Sequence, residues 1–251
     1  MRSKVIPGLS RSGQSQVGCR SDGQAATSAI SQHHIEAFTN MLLVEPEAAL
    51  MTRFDALRKE GKSVDILFSR LLVGCAQQLG DMWADDLCSF GDVTLGLSVL
   101  HRILHRYGDA LGRELPGAVG DPSVLVTPIP GETHIFAASL LATYFRAAQW
   151  RVYSGIDEST NTLLDTITEY HLDVLIITVS CEAKVASAEK LIRQMKAHSC
   201  NQSVQVMVGG PPFLFDAYLH ESIGADLTAP NALAALSLAK KSVVSEALSV
   251  L

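Results

Sequence analysis

The chain has 251 residues, a net charge of −6, an apolar fraction of 47% and five cysteines. The length allows one large domain or two small ones, and the acidic balance offers no basic surface for a phosphate backbone, so direct nucleic-acid binding is not expected. No apolar run reaches the roughly 18 residues of a membrane span, and the basic start carries no apolar core of a secretory signal. The cysteines Cys19, Cys75, Cys88, Cys181 and Cys200 lack paired spacing, so reduced thiols in the cytoplasm are expected.

Residues 1–30 are rich in Ser, Gly and Gln and poor in large apolar side chains, which predicts a disordered tail with His33 and His34 at its end. Residues 31–115 then carry a helical period. Ile35, Phe38, Met41 and Leu42 mark a first helix, and a second runs from Pro46 to Glu60. A third opens at the N-cap Ser63 and passes Leu67, Leu71 and Leu72 to Leu79, with Gly80 read as its stop. A fourth starts near Ser89 or Asp92 and runs to Tyr107, with Gly108 read as its stop. Four helices on short loops predict a bundle.

Leu115 to Ser123 holds Pro116, Gly117, Gly120 and Pro122 and reads as a linker. From 123 to 251 the pattern switches to α/β: strands at Val124–Ile129, Arg151–Ser154, Val174–Val179, Val204–Val208 and Asp226–Leu227 alternate with helices, one of them spanning Pro212–Ile223. Such alternation predicts a parallel sheet covered on both faces. The nearly unbroken apolar runs at Val174–Ile177 and Val206–Val208 suit strands buried on both sides.

Three strand-to-helix loops then meet at the carboxyl end of the sheet, where open α/β sheets bind ligands. The first is Gly131-Glu132-Thr133-His134, the second Val179-Ser180-Cys181-Glu182, and the third Gly209-Gly210-Pro211-Pro212. Together they offer one imidazole, small residues along a groove, and glycines that admit a ligand close to the backbone. His101 and His105 share a helix face, but Arg102 and Arg106 flank them and oppose a cation. His171, His198 and His220 fall at helix ends or on surfaces, and Cys181 reads as an inert thiol or a soft ligand.

These loops resemble the cobalamin-binding modules, in which a helical bundle precedes a flavodoxin-like domain. The family pattern Asp-x-His-x-x-Gly, Ser-x-Leu and Gly-Gly stands here as Glu132-x-His134-x-x-Ala137, Ser180-x-Glu182 and Gly209-Gly210. The resemblance implies that His134 ligates cobalt in place of the cofactor's own base, that Glu132 orients the imidazole, and that the displaced tail lies beside Ser180, Gly209 and Gly210. Glu for Asp, Ala for Gly and Glu for Leu are departures from the pattern. A haem-binding variant of the module makes haem the alternative cofactor.

The segment Leu79–Asp86 with Ser89–Leu97 resembles the cap of cobalamin-dependent regulators. In the adenosylcobalamin photoreceptors, Glu-His follows the cap tryptophan by ten and eleven residues; here Trp83 is followed by Val93-Thr94. The cap therefore resembles the AerR/PpaA group, antirepressors of photosystem synthesis, which implies Trp83 as a cofactor lid and a transcriptional repressor as partner. That reading needs no catalytic dyad, and none stands out. A corrinoid methyl carrier and a haem redox sensor, with Lys184 and Arg151 as candidate propionate partners, are the alternatives. Self-association into a homo-oligomer is left open.

Overall fold

A computed structural model describes residues 29–216 and 218–249. Of the expected tail 1–30, residues 1–28 lie outside the described residues and Ile30 packs against the cap core, while His33 and His34 sit in the first turn of helix α1 (Gln32–Val44) rather than in a tail. His34 Nδ1 accepts the Ser31 N–H at 3.2 Å, which closes the helix start.

Helix α2 is Glu47–Lys59. Helix α3 is one unbroken run of Val64–Ile66, a π-helical stretch Leu67–Leu72, and Val73–Ala84. Gly80 does not stop it. The neighbouring Cys75 and Leu79 are fully buried in the bundle core, and that burial outweighs the glycine's cost of about 1 kcal/mol. The stop comes at Asp86, which takes the left-handed φ of +57°. Asp86 N–H then bonds Trp83 O and Leu87 N–H bonds Met82 O, closing the last carbonyls.

Helix α4 is Phe90–Gly112. Its start is a capping box: Asp92 N–H donates to Ser89 Oγ at 3.2 Å, and Ser89 N–H to Asp92 Oδ2 at 2.8 Å. Gly108 lies inside it and does not end it. Gly108 and Gly112 are one turn apart and face helix α5 (Phe136–Ala147). A Cβ on Gly108 would meet Thr143 at 3.7 Å, and one on Gly112 would sit 3.1 Å from Ala147 O. The glycines bring two helices close; tertiary packing sustains the helix through them.

The described sheet has five parallel strands: β1 (Ser123–Pro128), β2 (Arg151–Ser154), β3 (Val174–Thr178), β4 (Gln205–Gly209) and β5 (Leu227–Thr228). Their order is β2-β1-β3-β4-β5, the flavodoxin-like winding that the family resemblance implies. Helix α6 is Thr160–Glu169, α7 is Val185–His198, and α10 is Ala232–Ser249. Val124, Val126, Val174, Ile176 and Met207 pack on one face with α5 and α10 residues. Leu125, Leu175, Ile177, Val206 and Val208 pack on the other with α6 and α7 residues. Adjacent residues therefore serve opposite faces, as the pleat requires.

The single helix expected over 212–223 is two short ones, α8 (Pro212–Phe215) and α9 (Leu219–Ser222). Asp216 is extended between them, and its carboxylate accepts the Tyr218 N–H at 2.9 Å. That local turn competes with helix continuation.

The cap and the sheet half share packing: Leu140 and Tyr144 of α5 and Ala232 of α10 join the bundle's core cluster. Contacts between α4 and α5 ascend together, from His101 on Phe136 and Ser139 to Gly108 on Thr143 and Gly112 on Ala147. The two helices therefore run parallel. Because α5 begins at the carboxyl edge of the sheet, residues 90–100 of α4 project on the order of 16 Å past it, at 1.5 Å per residue.

Candidate functional site

The strand order fixes where the loops meet. The chain leaves β1 towards β2 and leaves β3 towards β4, so the connections diverge between β1 and β3 and open a crevice at their carboxyl ends. The His134 loop follows β1 and the Ser180 loop follows β3. The α4 overhang stands beyond the same edge.

At the base of the crevice is a buried carboxylate. Gly131, with φ +79°, turns the chain after β1, and the Glu132 side chain folds back inside the loop, only 4% exposed. Its Oε1 accepts the N–H groups of Thr133 and His134 at 2.9 and 3.1 Å and meets His134 Nδ1 at 2.7 Å. Ser180 Oγ donates to Oε2. Burial alone would raise the Glu132 pKa; the hydrogen bonds from Ser180 and His134 win and lower it to about 2. The carboxylate is thus ionised at neutral pH, and the extra methylene of glutamate over aspartate is absorbed by the fold-back.

His134 itself is 75% exposed. A carboxylate only accepts, so the hydrogen-bond network assigns the imidazole proton to Nδ1. Nε2 then carries the lone pair. One nitrogen is held by a carboxylate and the other is offered outward, a geometry that suits metal ligation.

Gly209 ends β4, and its carbonyl accepts the Val179 N–H at 2.9 Å. Gly210 has φ +129°, and a Cβ there would fall 1.9 Å from Val179 O. Only glycine fits, because the backbone after β4 presses against the end of β3. Gly209 is less constrained, its nearest contact being Ala229 O at 3.5 Å.

Thr178 escaped the sequence reading. It ends β3 between Pro128 and Gly209 in register, is 6% exposed, and its hydroxyl has no hydrogen-bond partner among the described residues. An orphaned buried hydroxyl at a crevice is a ready contact for a polar ligand group. Its signal was a lone polar residue closing the aliphatic run Val174–Ile177.

Trp83 is no core aromatic: it is 52% exposed and meets Phe90 edge-on at 6.3 Å. Phe90 is 69% exposed, so the pair forms an apolar wall where α3 ends and α4 begins. Phe90, Thr94, Leu97 and His101 share one face of α4 by their spacing, and His101 marks that face as the one turned to α5.

Two other candidates change. Arg151 pairs with Ser123 at the amino edge of the sheet and is ion-paired to Asp121, far from the crevice, so it cannot hold a haem propionate there. Lys184 remains at the carboxyl edge, at the end of the 3-10 turn Glu182–Lys184. His101 bonds Leu97 O and Ser139 Oγ, and no group of three or more metal-ligating side chains gathers among the described residues. Cys181 is exposed beside Ser180.

Residues 122–237 match the family model of the B12 binding domain. The matched stretch holds Glu132, His134, Thr178, Ser180, Gly209 and Gly210 and leaves the helical cap outside. A relative from Rhodobacter capsulatus, an uncharacterized 20.5 kDa protein in the bchF-crtJ intergenic region, is 25% identical over 174 residues, 69% of this chain and 90% of its own length. A dimethylamine corrinoid protein of Methanosarcina barkeri is 26% identical over 114 residues, covering 45% of this chain and 53% of that protein. The monomethylamine corrinoid protein of Methanosarcina barkeri shares the fold, with a TM-score of 0.64 at 18% identity over 88% of this chain and 99% of that one. No described helix is long and apolar enough to cross a membrane.

Proposed function

We propose that the chain binds cobalamin between the His134 loop and the cap and acts as a light- or redox-responsive regulator through a transcriptional repressor. The observation that carries the reading is the Ser180–Glu132–His134 relay at the crevice between β1 and β3. When bound, cobalamin would supply a cobalt ion able to exchange ligands. His134 Nε2 would hold that ion, with Glu132 fixing the ring and strengthening it as a ligand. Ser180 holds Glu132, while Thr178, Gly209 and Gly210 would receive the cofactor's tail. Trp83 and Phe90 would cover the cofactor from the cap. The chain supplies no histidine at Thr94, so a cap that answers the upper ligand works by shifting between arrangements.

The regulator is favoured over a methyl carrier by the cap, where Trp83 is followed by Phe90 and Val93-Thr94, and by the place of the Rhodobacter capsulatus relative, itself uncharacterized, in the bchF-crtJ intergenic region. A net charge of −6 suits a basic DNA-binding partner. Haem is disfavoured by the loss of Arg151 from the site and by Asp157 and Glu158, which line the cleft beside Glu132 and repel propionates.

The test is the visible spectrum of the protein reconstituted with hydroxocobalamin. A histidine-ligated spectrum that reverts to free cofactor in His134→Ala supports the ligand, with folding stability lowered by about 1–2 kcal/mol because the buried Glu132 carboxylate loses a donor. An unchanged spectrum sinks it. Methyl transfer onto the bound cobalt from a methyltransferase partner would favour the carrier.

A further inference from the structure

His101 is half-buried where the overhanging cap helix meets the helix that carries the His134 loop. Its Nδ1 is 2.8 Å from Leu97 O, so that nitrogen carries the proton. Its Nε2 is 3.1 Å from Ser139 Oγ, and its ring stands edge-on to Phe136 at 5.3 Å. Ser139 N–H bonds Ile135 O, and Ile135 N–H bonds Thr133 O. One side chain thus grips the turn that leads out of the ligand loop.

The wall moves with α4. A Cβ on Gly96 would lie 2.8 Å from Leu79 Cδ1, so the end of α3, with Trp83, is locked against α4. Below His101, Gly108 and Gly112 bring α4 close to α5; above it, Leu97 and Leu100 still pack in the bundle core. Among the described residues, His101 makes the side-chain hydrogen bond between α4 and α5 that stands nearest the overhang.

We infer that His101 is a positioning residue that sets the height of the Trp83–Phe90 wall above the His134 loop. What fills the gap rests on the corrinoid reading; the tie itself does not.

The test compares full-length wild type, His101→Leu, Ser139→Ala, the double variant and His101→Gln, first without cofactor. Amide hydrogen exchange at residues 90–98 should quicken about five- to tenfold in either single variant, as for one lost hydrogen bond. Residues 103–111 should not follow, the double variant should add little, and His101→Gln, which can bond both partners, should recover most of the protection. With hydroxocobalamin bound, replacement of the cobalt-bound water by azide should quicken by a similar factor while the histidine-ligated spectrum persists. Unchanged exchange at 90–98, or an equal rise throughout the cap, overturns the inference. If no corrinoid binds, the functional reading fails, while the amide exchange still decides the role of His101.

Discussion

The two walls of the proposed site are built on opposite terms. Beneath it, the Glu132 carboxylate is buried and accepts from two backbone amides, an imidazole and a hydroxyl. Above it, Trp83 and Phe90 are apolar and largely exposed, and the Thr94 hydroxyl bonds its own helix at Phe90 O. The lower wall is held together by its own hydrogen bonds. The upper wall offers apolar area that only a ligand or partner can cover, the kind of surface that marks a binding site. A hydrogen-bonded imidazole below and exposed aromatic rings above suit the proposed corrinoid site.

The sharpest way to break the lower wall is Gly210→Ala. The added Cβ meets Val179 O in a left-handed backbone, and urea unfolding should show a loss of about 4 kcal/mol or more. Gly209→Ala, with only an ordinary contact, should cost about 1 kcal/mol or less; an equal cost at both positions would refute the close approach.

Glu132→Gln tests the relay. Corrinoid affinity should fall about 10–100-fold, measured by spectral titration. The sign with pH is fixed: the Glu132 pKa is lowered to about 2 in the folded chain, against about 4.3 unfolded. Its stabilisation is complete above the unfolded value and disappears as pH falls towards 2. Stability of the wild type should therefore drop across that window more steeply than that of Glu132→Gln.

Thr178→Val should act with opposite signs. Removing a buried hydroxyl that has no partner should stabilise the unliganded protein by about 1 kcal/mol, while weakening corrinoid binding about fivefold if the hydroxyl receives the tail. The smallest effect on folding belongs to the upper wall. Trp83→Ala should change stability by about 1 kcal/mol or less, since the ring is half exposed and its contact with Phe90 is a single edge-on pair. Ligand exchange at the upper cobalt face should respond instead. A large loss of stability would return Trp83 to a structural role.

Much of this was legible in order along the chain. Ser89 and Asp92, three residues apart, announced the start of α4, and the valine and isoleucine runs announced the central strands. His134, Ser180 and the glycine pair could be assigned to one edge because parallel strands place all their exit loops together. The failures share a cause. Gly80 and Gly108 read as stops because propensity is local, while Leu79 in the core and the α4–α5 contact are not. Arg151 differs: as the first residue of the expected strand Arg151–Ser154 it already had to fall at the edge opposite the exit loops, and the structure puts it there. Thr178 was missed because an unpaired hydroxyl is a property of its surroundings.

Sequence by itself determined the alternation of elements, the parallel sheet and the residues at its carboxyl edge, because periodicity and strand polarity are inherited directly from residue order. Only the tertiary structure decided that Glu132 folds back to join His134 to Ser180, that Thr178 is orphaned, and that α4 runs parallel to α5 and overhangs the site through His101. Those outcomes depend on distances between segments far apart in the chain, and packing, not local preference, sets them.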